Sequence, residues 1–217
     1  FDKNKIVYEP RTLEGSFTTY FKNIEIVPPG SFLKINLQNL EIKKIRWWKG
    51  LQNFPNISAN YKKNKETLME LLFDSIKLRL VSDVKISTSL SGGIDSSIVF
   101  AILNKLNVDQ KVSLNPFIFK DDNISFKQAL DLVKFYKKEP IIVQNVETKN
   151  NEFSEKLAAI EIPETYFNQL EIYKIQNKNN FKVSIDGHGA DECLGGYIKD
   201  LQFFPMQYQN SLIGIYQ

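Results

Sequence analysis

From Leu68 onward the chain alternates helical and extended patterns, and this alternation limits the possible fold more than any other feature. Leu68, Leu71, Leu72, Ile76 and Leu80 recur at helical spacing. Residues 84–90 are β-rich. Ile98, Val99, Ile102, Leu103 and Leu106 then form one apolar helix face. Residues 112–119 read as a strand that contains Pro116, a residue unsuited to a strand interior. Phe126, Ala129, Leu130, Val133 and Tyr136 mark another helix, and residues 140–146 the next strand. Helical patterns follow at 153–160 and 165–177, and residues 181–186 read as a last strand. Strands and helices in succession predict an α/β fold, a parallel sheet with helices on both faces. Ligands of such sheets sit beyond the carboxyl ends of the strands.

The first fifty residues read differently. Phe32 and Ile35 fall in one extended run, and Leu40, Ile42, Ile45 and Trp47 in the next. Leu37, Gln38 and Asn39 separate them, and a Val-Pro-Pro-Gly turn at 27–30 precedes them, so a hairpin is expected. Residues 54–67 are polar and read as a linker.

Composition narrows the function classes. The chain has 28 basic and 25 acidic residues, interspersed, for a net charge of +3. Without clustering this argues against a nucleic-acid surface. No apolar run reaches the length of a membrane span, and no secretory leader is visible. A single cysteine excludes an internal disulfide framework and fits a reducing, cytoplasmic compartment.

Two loops carry chemistry, each after a strand. In Leu90-Ser91-Gly92-Gly93-Ile94-Asp95-Ser96-Ser97 the glycines let the backbone curl at the start of a helix. The unpaired first-turn amides and the helix dipole then form an anion nest, to which Ser91 and Ser96 add hydroxyls. Asp95 makes sense beside phosphate if Mg²⁺ lies between them. The plainer alternative is a tight turn capped by Asp95 or Ser96. The second loop, Ser184 through Tyr197, contains Gly187, His188, Gly189, Asp191 and Glu192, with Gly195-Gly196 placed to end a short helix.

Together the loops resemble the synthetase domain of glutamine-dependent asparagine synthetases, of the PP-loop ATP pyrophosphatases. Leu90–Ser97 matches the family's Leu-Ser-Gly-Gly-x-Asp-Ser-Ser signature, and 187–197 its Gly-Glu/Gln-Gly-Ala/Ser-Asp-Glu…Gly-Gly-Tyr signature except at His188. Residues 81–84 and 125–143 also fit, and 22–35 look like the end of the family's glutaminase domain. The resemblance implies a Rossmann-like ATP-binding part at 54–217, preceded at 1–53 by the tail of a class II glutamine amidotransferase-like β domain. It implies an asparagine synthetase-like ligase: ATP adenylates an Asp-like carboxylate, pyrophosphate leaves, and ammonia from glutamine forms the amide. It assigns Ser91, Gly92, Gly93, Asp95 and Ser96 to pyrophosphate, the backbones of Leu90 and Phe119 to adenosine, Gly187 to the nucleotide, and Asp95 and Asp191 to Mg²⁺.

Three departures qualify this. Class II glutaminase domains use an N-terminal Cys as nucleophile; Phe1 is not that Cys, and Cys193 reads as a small buried hydrophobe. The family's catalytic Lys lies downstream of the region matched here, so the isolated chain is expected to be inactive. His188 replaces the family's Glu or Gln and is a candidate for proton transfer in amide formation. The acceptor pocket is expected partly from residues 162–168. A β-lactam, cyclised-peptide or sugar-amide ligase, and a non-catalytic nucleotide-binding scaffold, stay open, as does homo-oligomerisation.

Overall fold

A computed structural model describes residues 19, 23–49, 59–106, 112–121, 123–144 and 168–196. The helix expected at 153–160 and most of the acceptor-pocket segment lie outside them. The chain divides into two compact units, Phe1–Lys65 with Leu157–Thr165 and Glu66–Lys156 with Tyr166–Gln217.

In the first unit, β1 (Ser31–Ile35) and β2 (Ile42–Arg46) form an antiparallel hairpin with Phe32 opposite Ile45 and Ile35 opposite Ile42. The side chains of Asn36 and Asn39 accept from the amides of Gln38 and Glu41 and so hold the connection in turns. Leu40 was expected in the second strand. It sits instead in the turn, with φ of 56°.

Helix α1 (Tyr61–Leu78) begins inside the stretch expected to be a linker. Asn60 explains the start: its side-chain oxygen accepts from Lys63 N at 3.1 Å and its carbonyl from Asn64 N at 3.1 Å. The lysines and Glu66 that follow are good helix formers, and their polarity reflects exposure rather than irregular structure. Leu80 lies just past the helix, in a turn where its amide bonds the Lys77 carbonyl.

The second unit contains a parallel sheet. Strand β3 (Ile86–Ser87) pairs with β6 (Val183–Ser184), and β4 (Phe117–Phe119) with β5 (Ile141–Val143), both in parallel. Isolated parallel bridges, Ile86 to Val112 and Ser89 to Phe117, join β3 to the β4 segment. Leu90 N donates to Phe117 O and Phe117 N to Thr88 O, each at 2.9 Å. The spatial order is therefore β6-β3-β4-β5. The ladders are shorter than the sequence runs, in part because Pro116 has no N–H to give; its carbonyl still accepts from Ile141 N.

Helix α2 (Ile94–Leu106) follows β3, α3 (Ile124–Phe135) follows β4, and α4 (Asn168–Lys178) precedes β6. Neighbouring residues of β4 point to opposite faces, as a strand requires. Ile118 packs with Leu90, Phe100 of α2, and Ala129 and Val133 of α3, whereas Phe117 packs with Val143 and Ile172 of α4. A third cluster joins Ile76 of α1 to Ile86, Ile102, Leu103 and Ile185. Phe100 and Phe117 are fully buried and stack edge-on against Tyr136 and Phe181. Each such ring contributes roughly 1.5–3 kcal/mol by burial. The chain steps outward from β3 to β5 and then returns to place β6 on the other side of β3. That reversal is a topological switch point, where a crevice opens at the carboxyl ends of the strands.

Candidate active site

Both glycine-bearing loops leave the sheet at this switch point, one after β3 and one after β6. Between them lies a cavity of about 400 Å³. Leu90, Ser91, Gly93, Asp95, Ser96, Phe119, Gly187, His188 and Asp191 line it. Of the residues singled out in the sequence, Gly92 does not. It has φ of 85°, and a Cβ there would overlap the Ser125 carbonyl at the start of α3. This glycine serves the seating of the loop on a neighbouring helix.

The first loop is wired internally. Ser91 and Ser96 hydroxyls bond each other at 2.9 Å, Ser91 N donates to Ser96 Oγ, and Gly93 N to Ser91 Oγ. Helix α2 starts at Ile94, so Asp95 lies in its first turn and is not the cap. Ser97 N returns to Gly93 O, while earlier amides of the turn have no acceptor within the helix. The second loop presses against this turn. A Cβ on Gly187 would lie 2.7 Å from Ser96 N and 3.0 Å from the Asp95 carbonyl carbon.

Helix α5 (Ala190–Leu194) then carries Asp191 and Glu192 in its first turn. It ends at Gly195, whose φ of 73° and N–H bond to Asp191 O form a left-handed cap. None of its five residues is buried, so Cys193 is exposed, contrary to its expected burial.

Sequence reading missed the residues that join the loops. Ser87, Thr88 and Ser89 are buried polar residues, at 0%, 0% and 8% exposure. Ser87 Oγ donates to Val183 O and Thr88 Oγ1 to Ile185 O. Buried Gln176 donates through Nε2 to Ser89 Oγ and Ser184 Oγ. Asp186 accepts from Ser89 N, Ser184 Oγ and Tyr173 Oη. A run of hydroxyls within a strand was the available signal, since buried polar groups need partners. Asp121, Asn123, Asn168 and Gln169 also line the cavity. Asn123 caps α3 by accepting from Phe126 N.

Burial foremost, and then the charge of Asp186, push the Tyr173 hydroxyl above its ordinary value of about 10, against an opposing contribution from Gln169. The folded chain therefore keeps a proton that the unfolded chain releases, so this contribution is present below pH ~10 and is lost as pH rises through the folded pKa. Urea midpoints measured from pH 8 to 11 should fall less steeply at the alkaline end in Tyr173→Phe. Equal slopes would remove Tyr173 from this role.

The family model for asparagine synthase matches residues 67–210. The chain belongs to the asparagine synthase family. It is 31% identical over 196 residues to glutamine-hydrolysing asparagine synthetase 2 of Bacillus subtilis, covering 83% of this chain and 26% of that protein. It is 25% identical over 212 residues to asparagine synthetase 1 of the same organism, covering 89% and 29%. Amidase chry2 of Gibberella zeae is 26% identical over 202 residues, covering 83% and 30%. The chain thus spans less than a third of the length of these relatives. Within the family match lie both loops and every residue lining the cavity.

Proposed function

We propose that the cavity binds ATP with Mg²⁺ and serves an ATP-dependent, amide-forming ligase of the asparagine synthetase type. The observation that carries this reading is the convergence of both glycine loops on one cavity at the switch point of the sheet. In this reading Ser91, Gly93 and Ser96 hold pyrophosphate, Leu90 and Phe119 flank adenosine through their backbones, and Gly187 packs against the nucleotide. The PP-loop type of Rossmann-like fold, with residues 1–53 as the tail of a glutaminase-type domain, belongs to the same proposal.

The chemistry of the cavity suits a divalent cation. Asp95, Asp121, Asp186, Asp191 and Glu192 line it, and no Lys or Arg is among the described lining residues. A polyphosphate would meet repulsion there without a counter-ion. Among the described residues no three acidic, His or Cys side chains gather as a metal site on their own. That accords with Mg²⁺, which takes one or two carboxylates together with substrate phosphates and water. Asp95 and Asp191 would hold it, and it would neutralise charge on the leaving pyrophosphate.

The chain's own residues then position and shield. A substrate carboxylate oxygen attacks the α-phosphorus, the bond to the bridging oxygen breaks, and pyrophosphate leaves into the amide-lined loop. Ammonia next attacks the acyl carbon of the adenylate, AMP departs, and the nitrogen loses a proton. His188, at the cavity wall, is the candidate to take it. Labelled ATP should yield AMP and pyrophosphate with the intact protein; ADP and phosphate as main products would refute the reading. With ammonia supplied, His188→Gln should slow amide formation more than pyrophosphate release, and unchanged rates of both would acquit the imidazole. The similarity to amidase chry2 keeps a second acceptor in view, an amide other than asparagine.

A further inference from the structure

We infer that Asp186 is a positioning residue that sets the spacing between the two loops of the cavity, a role that rests on the ligase reading above. Its carboxylate gathers donors from three elements. Oδ1 accepts from Ser89 N at 2.8 Å, next to β3, and from Ser184 Oγ at 2.8 Å, in β6. Oδ2 accepts from Tyr173 Oη at 3.2 Å, in α4. Gln176 closes the network by donating to both Ser89 Oγ and Ser184 Oγ.

The placement gives the clamp its leverage. Ser89 stands two residues before Ser91, where the first loop begins its curl. Asp186 stands one residue before Gly187, which packs directly against the first turn of α2 at Ser96 N. A single carboxylate therefore ties the base of one loop to the base of the other. Hydrogen bonds to an ionised acceptor are stronger than neutral ones, and three donors on one carboxylate hold its position from three sides. The bases of the two loops cannot separate without stretching a bond to Asp186. The main-chain ladder between β3 and β6 closes with Ile185 N donating to Ser87 O, and Thr88 Oγ1 donates to Ile185 O; the bonds to Asp186 lie one step further, nearest the loops.

Asn at this position keeps an oxygen for Ser89 N and Ser184 Oγ, and its amide can donate to Tyr173 Oη. Ala keeps nothing. The test compares Asp186→Asn, Asp186→Ala and Tyr173→Phe with the unaltered chain. Two readouts are used: hydrogen exchange without nucleotide, and the Kd of MgATP by calorimetry. Asp186→Ala should speed exchange of the amides at 90–97 and 187–194 at least tenfold and weaken MgATP at least tenfold. Asp186→Asn should restore both to within threefold. Tyr173→Phe should loosen the second loop by a smaller factor, and it decides the matter if Asp186→Ala does not fold. Asp186→Asn matching the unaltered chain in exchange but matching Asp186→Ala in MgATP affinity would mean that the charge acts directly on the ligand, and the positioning role would fall. Unchanged exchange in Asp186→Ala and Tyr173→Phe would overturn it as well. An unaltered chain that binds no MgATP would defeat the ligase reading instead, and the exchange data would still decide whether the clamp exists.

Discussion

Gly187→Ala is expected to weaken MgATP binding by about two orders of magnitude. The added methyl would lie 2.7 Å from Ser96 N, 3.0 Å from the Asp95 carbonyl carbon and 3.1 Å from Asp95 Cβ. These are backbone atoms and the first side-chain atom of a helical turn. None is the free end of a flexible side chain, so none yields cheaply. Either the second loop withdraws or the first turn of α2 moves, and both walls of the cavity are affected. Overpacking of this kind costs about 1–3 kcal/mol. If ligand binding has to drive the loops back against that strain, about 3 kcal/mol corresponds to roughly 100-fold in Kd. Gly189→Ala is the control. Its φ of 87° makes alanine strained, by roughly 1–2 kcal/mol, but no atom lies within 4 Å of the new methyl. Its effect on affinity should be at least tenfold smaller. Calorimetric Kd values with melting temperatures for both variants check this, and wild-type affinity in Gly187→Ala would sink the close-approach argument.

Removal of the divalent cation is the second large effect. ATP in excess chelator should bind at least 100-fold more weakly than MgATP. Five carboxylate residues line the cavity, and no Lys or Arg is among its described lining residues. Two unit charges 4 Å apart interact by about 4 kcal/mol at an effective dielectric of 20, so a few uncompensated repulsions suffice to expel a polyphosphate. Asp95→Asn and Asp191→Asn should each retain the fold, since neither side chain is buried in a core cluster. Each should lose most of the Mg²⁺ enhancement, while binding of metal-free ATP should improve slightly as one negative charge is removed. Titrations at fixed ATP and varied Mg²⁺ would show this. If both variants kept the wild-type Mg²⁺ dependence, the cation would be held elsewhere.

Much of the fold could be read from residue order. Helices α2 and α3 fall where Ile102, Leu103, Ala129 and Val133 recur, because apolar residues at helical spacing have to find a core. The hairpin was legible from its Pro-Pro-Gly entry and its paired apolar runs. The polar opening of α1 was not. Asn60 starts that helix by a local hydrogen bond, and a row of exposed lysines has the composition of a linker.

The two loops were legible as candidate ligand sites from the whole Ser-Gly-Gly-x-Asp-Ser pattern between a strand and a helix, since a bare Gly-Gly pair is as readily a tight turn. Their union was decided in three dimensions. Ser89 and Asp186 are 97 positions apart in the chain, and their 2.8 Å bond exists because β6 returns to pair with β3. The same return sets Gly187 against Ser96, whereas Gly92 owes its separate purpose beneath α3 to the placing of β4 on the other side of β3. Local sequence determined which segments could bend, cap and cradle an anion, for these depend on neighbours along the chain. Which of those segments face one another depends on strand order, and strand order is settled by the packing of the whole sheet.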